Sequence, residues 1–221
     1  MRSRSRFFVC LAVLFWVNLA AAADAGPNPP QQGSDRLALP PGPGEAGEQK
    51  KLSPSPRTSA VRSLMIDDLF ARLQRASDQS EAEALALSIQ HLWFQTPSDT
   101  ASLLMQRALK SIQESRYPLA LSLLDKIVTL EPRWAEAWNQ RATARFLADD
   151  AEGAMADIDQ VMKLEPRHFG ALAGMGAILQ RDGQDKQALQ IYSKSLSIYP
   201  LQPDLQKAVE KLKLTVQGRD I

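Results

Sequence analysis

Residues 101–134 read ASLLMQRALKSIQESRYPLALSLLDKIVTLEPRW, residues 135–168 read AEAWNQRATARFLADDAEGAMADIDQVMKLEPRH, and residues 169–202 read FGALAGMGAILQRDGQDKQALQIYSKSLSIYPLQ. Laid under one another, the three lines share columns. Pro132, Pro166 and Pro200 close the units. Leu130, Leu164 and Ile198 stand two residues before each proline. Ala120, Ala154 and Ala188 recur in mid-unit, and Ala108, Ala142 and Gly176 recur early, behind Leu104, Trp138 and Leu172. Five columns in register at a spacing of 34 residues mark an array of repeats.

Each unit reads as two helices. In the second, Trp138, Ala142 and Phe146 precede a polar break at Ala148-Asp149-Asp150. Ala154, Met155, Ile158, Val161 and Met162 follow it. These are helical spacings. The third unit breaks at Asp182-Gly183-Gln184 and the first near Glu114 to Tyr117, with Pro118 placed to open a helix. The closing prolines stop the second helix of each unit, because the residue before a proline avoids the helical region. The small columns have a steric cause: helix axes approach closely only where the side chains between them are small. A lone unit of this kind cannot bury its apolar face, whereas stacked units can.

These columns resemble the tetratricopeptide repeat family, whose pattern is a large residue, a small one, an alanine, a large residue and a closing proline. Trp138, Ala142, Ala154, Ile158 and Pro166 match it in the second unit, Leu172, Gly176, Ala188, Tyr192 and Pro200 in the third, and Leu104, Ala108, Ala120, Leu124 and Pro132 in the first. Arg107 and Arg141 stand where the family prefers leucine, and Ser111 and Arg145 where it prefers tyrosine. The resemblance implies an all-α superhelical solenoid and says nothing of chemistry.

Outward from the array, residues 61–100 read as a degenerate N-terminal helical repeat. Leu64, Leu69, Leu73 and Ala76 suit its first helix, and Ala82, Leu85, Ile89, Leu92 and Trp93 its second, with Ser80 and Glu83 as a capping box. Residues 203–217 read as a closing helix, with Leu205, Ala208, Val209 and Leu212 on the face that caps the stack. Residues 24–60 hold eight of the chain's 14 prolines and read as a disordered Pro/Gly-rich linker. Residues 1–23 read as a signal peptide: Arg2, Arg4 and Arg6 lead an apolar run from Phe7, and Ala20 to Ala23 supply small residues for cleavage. The expectation is an exported protein, periplasmic or secreted, touching a membrane only through that segment if it stays uncleaved.

The whole chain carries 26 basic and 25 acidic residues. Loss of the three leader arginines leaves 23 basic residues, which argues against a general nucleic-acid binder. The sole cysteine, Cys10, leaves with the leader, so no disulfide is expected. No catalytic set is visible. His91 and His168 are 77 residues apart, which is not a zinc spacing, and neither has an oriented partner in sequence. No cofactor is expected. Asp149, Asp150, Glu152, Asp157 and Asp159 lack the loop of alternating oxygen ligands that calcium needs and read as a solvated acidic face. Trp134 and Phe169 read as residues that pin the start of the next helix.

The resemblance also implies that the first helix of each unit lines a concave groove. Helix phase then points Met105, Leu109 and Ile112, Asn139, Thr143 and Phe146, and Ala173, Ala177 and Gln180 inward. Some family members clamp a peptide's terminal carboxylate with lysines, an arginine and asparagines; only Asn139 matches here. The expected function is therefore non-enzymatic: a scaffold holding an apolar peptide or helix of a partner protein. The alternative is a self-associating structural protein, possible as a homo-oligomer, whose groove is filled by its own helices.

Overall fold

The computed structural model describes residues 56–219. The expected leader and most of the expected linker lie outside the described residues. Among those described, every regular element is a helix: α1 (Pro56–Leu73), α2 (Gln79–Phe94), α3 (Asp99–Gln113), α4 (Tyr117–Leu130), α5 (Ala135–Leu147), α6 (Ala151–Leu164), α7 (Phe169–Arg181), α8 (Asp185–Ile198) and α9 (Pro203–Arg219). Helix α1 thus begins at Pro56, inside the stretch read as linker.

Three antiparallel pairs, α3–α4, α5–α6 and α7–α8, form the units, and each pair packs on the next through α4 against α5 and α6 against α7. This is the solenoid expected from the columns. The small columns lie in the crossings: Ala108, Ala142, Ala120, Ala154 and Ala188 are all buried. Gly176 is buried too, and a Cβ there would stand 2.3 Å from the Tyr192 ring. Leu124, Ile127, Ile158 and Val161 fill the space around the crossings. Helix α9 closes the stack: Val209 and Leu212 are buried with Ala188 and Tyr192, and Leu205 and Ala208 pack beside them. Burial pushes the hydroxyl pKa of Tyr192 up to about 12.

The turns inside the units repeat in their backbone although their residues differ. Ser115, Asp149 and Gly183, each 34 positions apart, hold positive φ values of 56°, 68° and 75°. After each, the next amide donates back to a carbonyl five residues earlier: Arg116 to Ser111, Asp150 to Arg145 and Gln184 to Leu179, at 2.8, 2.9 and 2.9 Å. This is one helix-ending motif used three times, with the left-handed residue just past the helix. Only the third unit places glycine there. A Cβ on Gly183 would touch nothing within 4 Å, so its conformation alone sets the effect of a substitution. Gly183→Ala is expected to cost about 1 kcal/mol, and Ser115→Gly to gain roughly half that, by urea denaturation. Equal effects of the same sign would refute the strain argument.

The cap of α2 differs from the expected Ser80–Glu83 box. Asp78 is the N-cap and accepts from the Glu81 amide at 2.9 Å, while the Glu81 carboxylate accepts from the Ser77 amide at 3.0 Å. The cap is shifted towards the N-terminus and is not a strict box, because Glu81 reaches back to Ser77, the residue before the N-cap, while Ser80 already lies inside the helix.

The α1–α2 hairpin is seated differently from the units that follow it. Another stacked repeat would lay α2 along α3. Instead α2 touches α5. Ile66, Phe70, Leu73, Leu85, Ile89 and Trp93 form one buried cluster with Phe169 at the start of α7 and Tyr199 just past α8. The hairpin therefore lies across the joints between units.

Candidate functional site

Two polar constellations sit within the array, and both arise where the second unit departs from an apolar pattern. The first is ionic. Arg141 donates from Nε and Nη2 to the two oxygens of Asp157, at 2.9 and 2.7 Å. Arg145 Nη1 is 3.1 Å from Asp157 Oδ2. Arg141 Nη1 also donates to Asp125 of the first unit at 2.9 Å, and its guanidinium lies 4.7 Å from the Trp138 ring centre. Burial works to lower the Arg141 pKa, and the carboxylates of Asp157 and Asp125 outweigh it and leave the pKa raised. The arginines at the leucine and tyrosine places of the repeat thus converge on one buried carboxylate. This corrects the reading of Asp157 as part of a solvated face: it is 2% exposed. Asp149, Asp150, Glu152 and Asp159 are on or near the surface.

The second constellation lies under the hairpin. Glu136, Asn139, Gln140 and His168 are all buried. Glu136 Oε1 accepts from Asn139 Nδ2 at 3.1 Å and from Gln140 Nε2 at 2.6 Å. The Ala171 amide donates to His168 Nδ1 at 3.1 Å, which caps α7. An N–H can only donate, so Nδ1 carries the lone pair and the ring proton sits on Nε2, which donates to Glu136 Oε2 at 3.0 Å. The imidazole is neutral in this arrangement. Its face carries the Trp93 indole, with ring centres 4.1 Å apart and planes 11° from parallel. Trp93 also meets Phe169 at 5.1 Å and Phe70 at 6.0 Å. The Trp134 indole donates to the Trp93 carbonyl at 2.7 Å. On the rim, Arg167 donates to Asp67 of α1 at 2.8 Å and lies over Phe70. Two buried side-chain polar atoms among the described residues have no hydrogen-bond partner, Trp93 Nε1 and Asn139 Oδ1, and both belong to this cluster.

The inward positions expected from helix phase divide into two groups. Met105 and Ile112 are buried with Ala108, Leu124 and Ala137, inside the stack of the first two units. Asn139 is buried in the polar cluster. Leu109, Thr143, Phe146, Ala173, Ala177 and Gln180 keep partial exposure. Among them, Phe146 lies 4.5 Å beneath the Arg181 guanidinium, and Gln180 Oε1 accepts from the Tyr192 hydroxyl at 3.2 Å. Sequence reasoning missed Glu136, Gln140, His168 and Trp93 as one group. A partial signal existed: Glu136, Asn139 and Gln140 share one helical face.

Trp134 and Phe169 do stand at helix starts, but both also receive the hairpin. Among the described residues, no group of three or more metal-ligating side chains is placed to hold an ion. None of the described helices is long and apolar enough to cross a membrane.

No family model matches the chain. A TPR repeat-containing protein of Rhizobium etli is 38% identical over 182 residues, covering 82% of this chain and 89% of that protein. Among solved structures, the Sgt2 TPR domain from Aspergillus fumigatus superposes with a TM-score of 0.53 at 16% identity, over 57% of this chain and 84% of that one. The first TPR of Spaghetti, solved with an HSP90 peptide, gives 0.52 at 19% identity, over 55% and 97%. MamA gives 0.50 at 18% identity, over 73% and 86%. At these identities the solved structures speak to the fold.

Proposed function

We propose a function from the premise that this chain belongs to the tetratricopeptide repeat family: it is an exported, non-catalytic scaffold that holds an apolar peptide or helix of a partner protein in its groove. The observation that carries this reading is the row of partly exposed residues on the first helices, Leu109, Thr143, Phe146, Ala173 and Ala177, beside a stack whose own core is already closed. The peptide seen with the Spaghetti domain supports the choice of a segment as ligand. The basic and apolar leader supports export to a periplasm or beyond the cell.

A Leu109→Asp, Phe146→Asp double variant is expected to lose the partner that co-purifies from a native envelope fraction by crosslinking. Its far-UV circular dichroism should stay helical, since both positions reach solvent. Undiminished recovery from a folded variant would end this reading. A second reading, in which the groove is filled by the chain's own helices, is favoured at one end only, where Trp93 covers His168.

A further inference from the structure

The hairpin occupies, in cis, a seat with the features of a ligand site. It rests mainly on α5, the start of α7 and the end of α8, with Phe94 alone at the end of α2 packed on the cluster that includes the helix that follows. Its hold joins the buried cluster around Phe169 and Tyr199 to a small polar set: the Trp93 indole flat on His168, the Trp134 indole bonded to the Trp93 carbonyl, Phe70 beneath Arg167, and the exposed Asp67–Arg167 pair. Between α2 and α3 lie only four residues, Gln95 to Ser98. The docked state also leaves a donor on Trp93 and an acceptor on Asn139 buried without a protein partner. Buried polar atoms without partners weaken the state that contains them.

We propose that the α1–α2 hairpin is a built-in competitor, and that a partner reaches this face by replacing it. The seat defines the chemistry of the replacement. A flat neutral imidazole walled by Phe169 takes an aromatic side chain, and Arg167 on the rim takes a carboxylate, as it takes Asp67. The partner is therefore an amphipathic helix carrying an aromatic residue on its apolar face and an acid at the edge. This rests on the scaffold reading above and adds the identity of the ligand and its control. A competitor in cis lowers apparent affinity by the fraction of molecules in which the seat is open.

The test uses the full chain and a fluorescent peptide of residues 56–95, the chain's own hairpin offered in trans. Trp93→Ala in the full chain should open the seat, so the peptide should bind that variant at least about ten-fold more tightly than the wild type. The same peptide carrying Trp93→Ala should not bind. Asp67→Arg in the full chain alters only exposed charge and leaves the core intact; it should give a smaller gain, about two- to five-fold. Equal binding to wild type and both variants, or binding to none of them, overturns the proposal. That failure is separable from failure of the scaffold reading, because Leu109 and Phe146 lie outside the hairpin's seat and their variant reports on the open part of the groove.

Discussion

Asp157→Ala is expected to lower the stability of the chain by about 3–5 kcal/mol, the usual consequence of removing one partner from a buried ion pair. The buried carboxylate accepts from Arg141 at both oxygens and pairs with the partly exposed Arg145. Its loss leaves Arg145 without its closest buried acid and Arg141 with only Asp125, which is itself exposed. The measurement is the urea midpoint at unchanged slope. A loss below about 1 kcal/mol would mean that the pair behaves as a surface contact. A companion variant sharpens the point. Arg141→Leu, Arg145→Tyr and Asp157→Ala together restore the apolar residues of the repeat pattern, and should be far milder than Asp157→Ala alone. Replacing a whole buried ionic group by well-packed apolar side chains is often neutral or stabilising.

Gly176→Val is expected to be the most damaging single change in the third unit. Even an alanine Cβ would stand 2.3 and 2.4 Å from carbons of the Tyr192 ring, which is 5% exposed and tied through its hydroxyl to Gln180. The ring cannot yield without opening the crossing of α7 on α8. Gly176→Ala gains up to about 1 kcal/mol in helix propensity and loses about 1–3 kcal/mol to overpacking, so it should be destabilising on balance. Valine adds two methyl groups to the same contact and should cost more. In a double-mutant cycle with Tyr192→Leu, the alanine variant should be less harmful than in the wild-type background. Strict additivity would show that the ring is not the obstacle.

The columns made the solenoid legible because the same steric demand recurs at each crossing, and Ala108, Ala142 and Gly176 answer it with similar residues. The turns recur just as strictly, yet Ser115, Asp149 and Gly183 share a backbone state and no chemistry, so no column marks them. Asp157 looked like surface because its two arginines, 12 and 16 positions earlier, stand where the family pattern leads one to look for leucine and tyrosine. Helix phase gave directions for Met105, Ile112 and Asn139 but not what lies over them. The seat of the hairpin was beyond periodicity altogether. Its partners are set by an encounter between residues far apart in the chain, and neither side carries a local pattern that names the other.

That distance has a consequence for how the molecule is made. Asp67 and Arg167 meet across 100 positions of sequence, whereas each stacked pair needs only its immediate neighbour. The hairpin leaves the ribosome well before the surface that will receive it. At roughly 5–20 residues per second, Phe70 and Trp93 wait on the order of 5–20 s with their apolar side uncovered. During that interval the segment presents the kind of transient apolar surface that makes a nascent chain prone to aggregate.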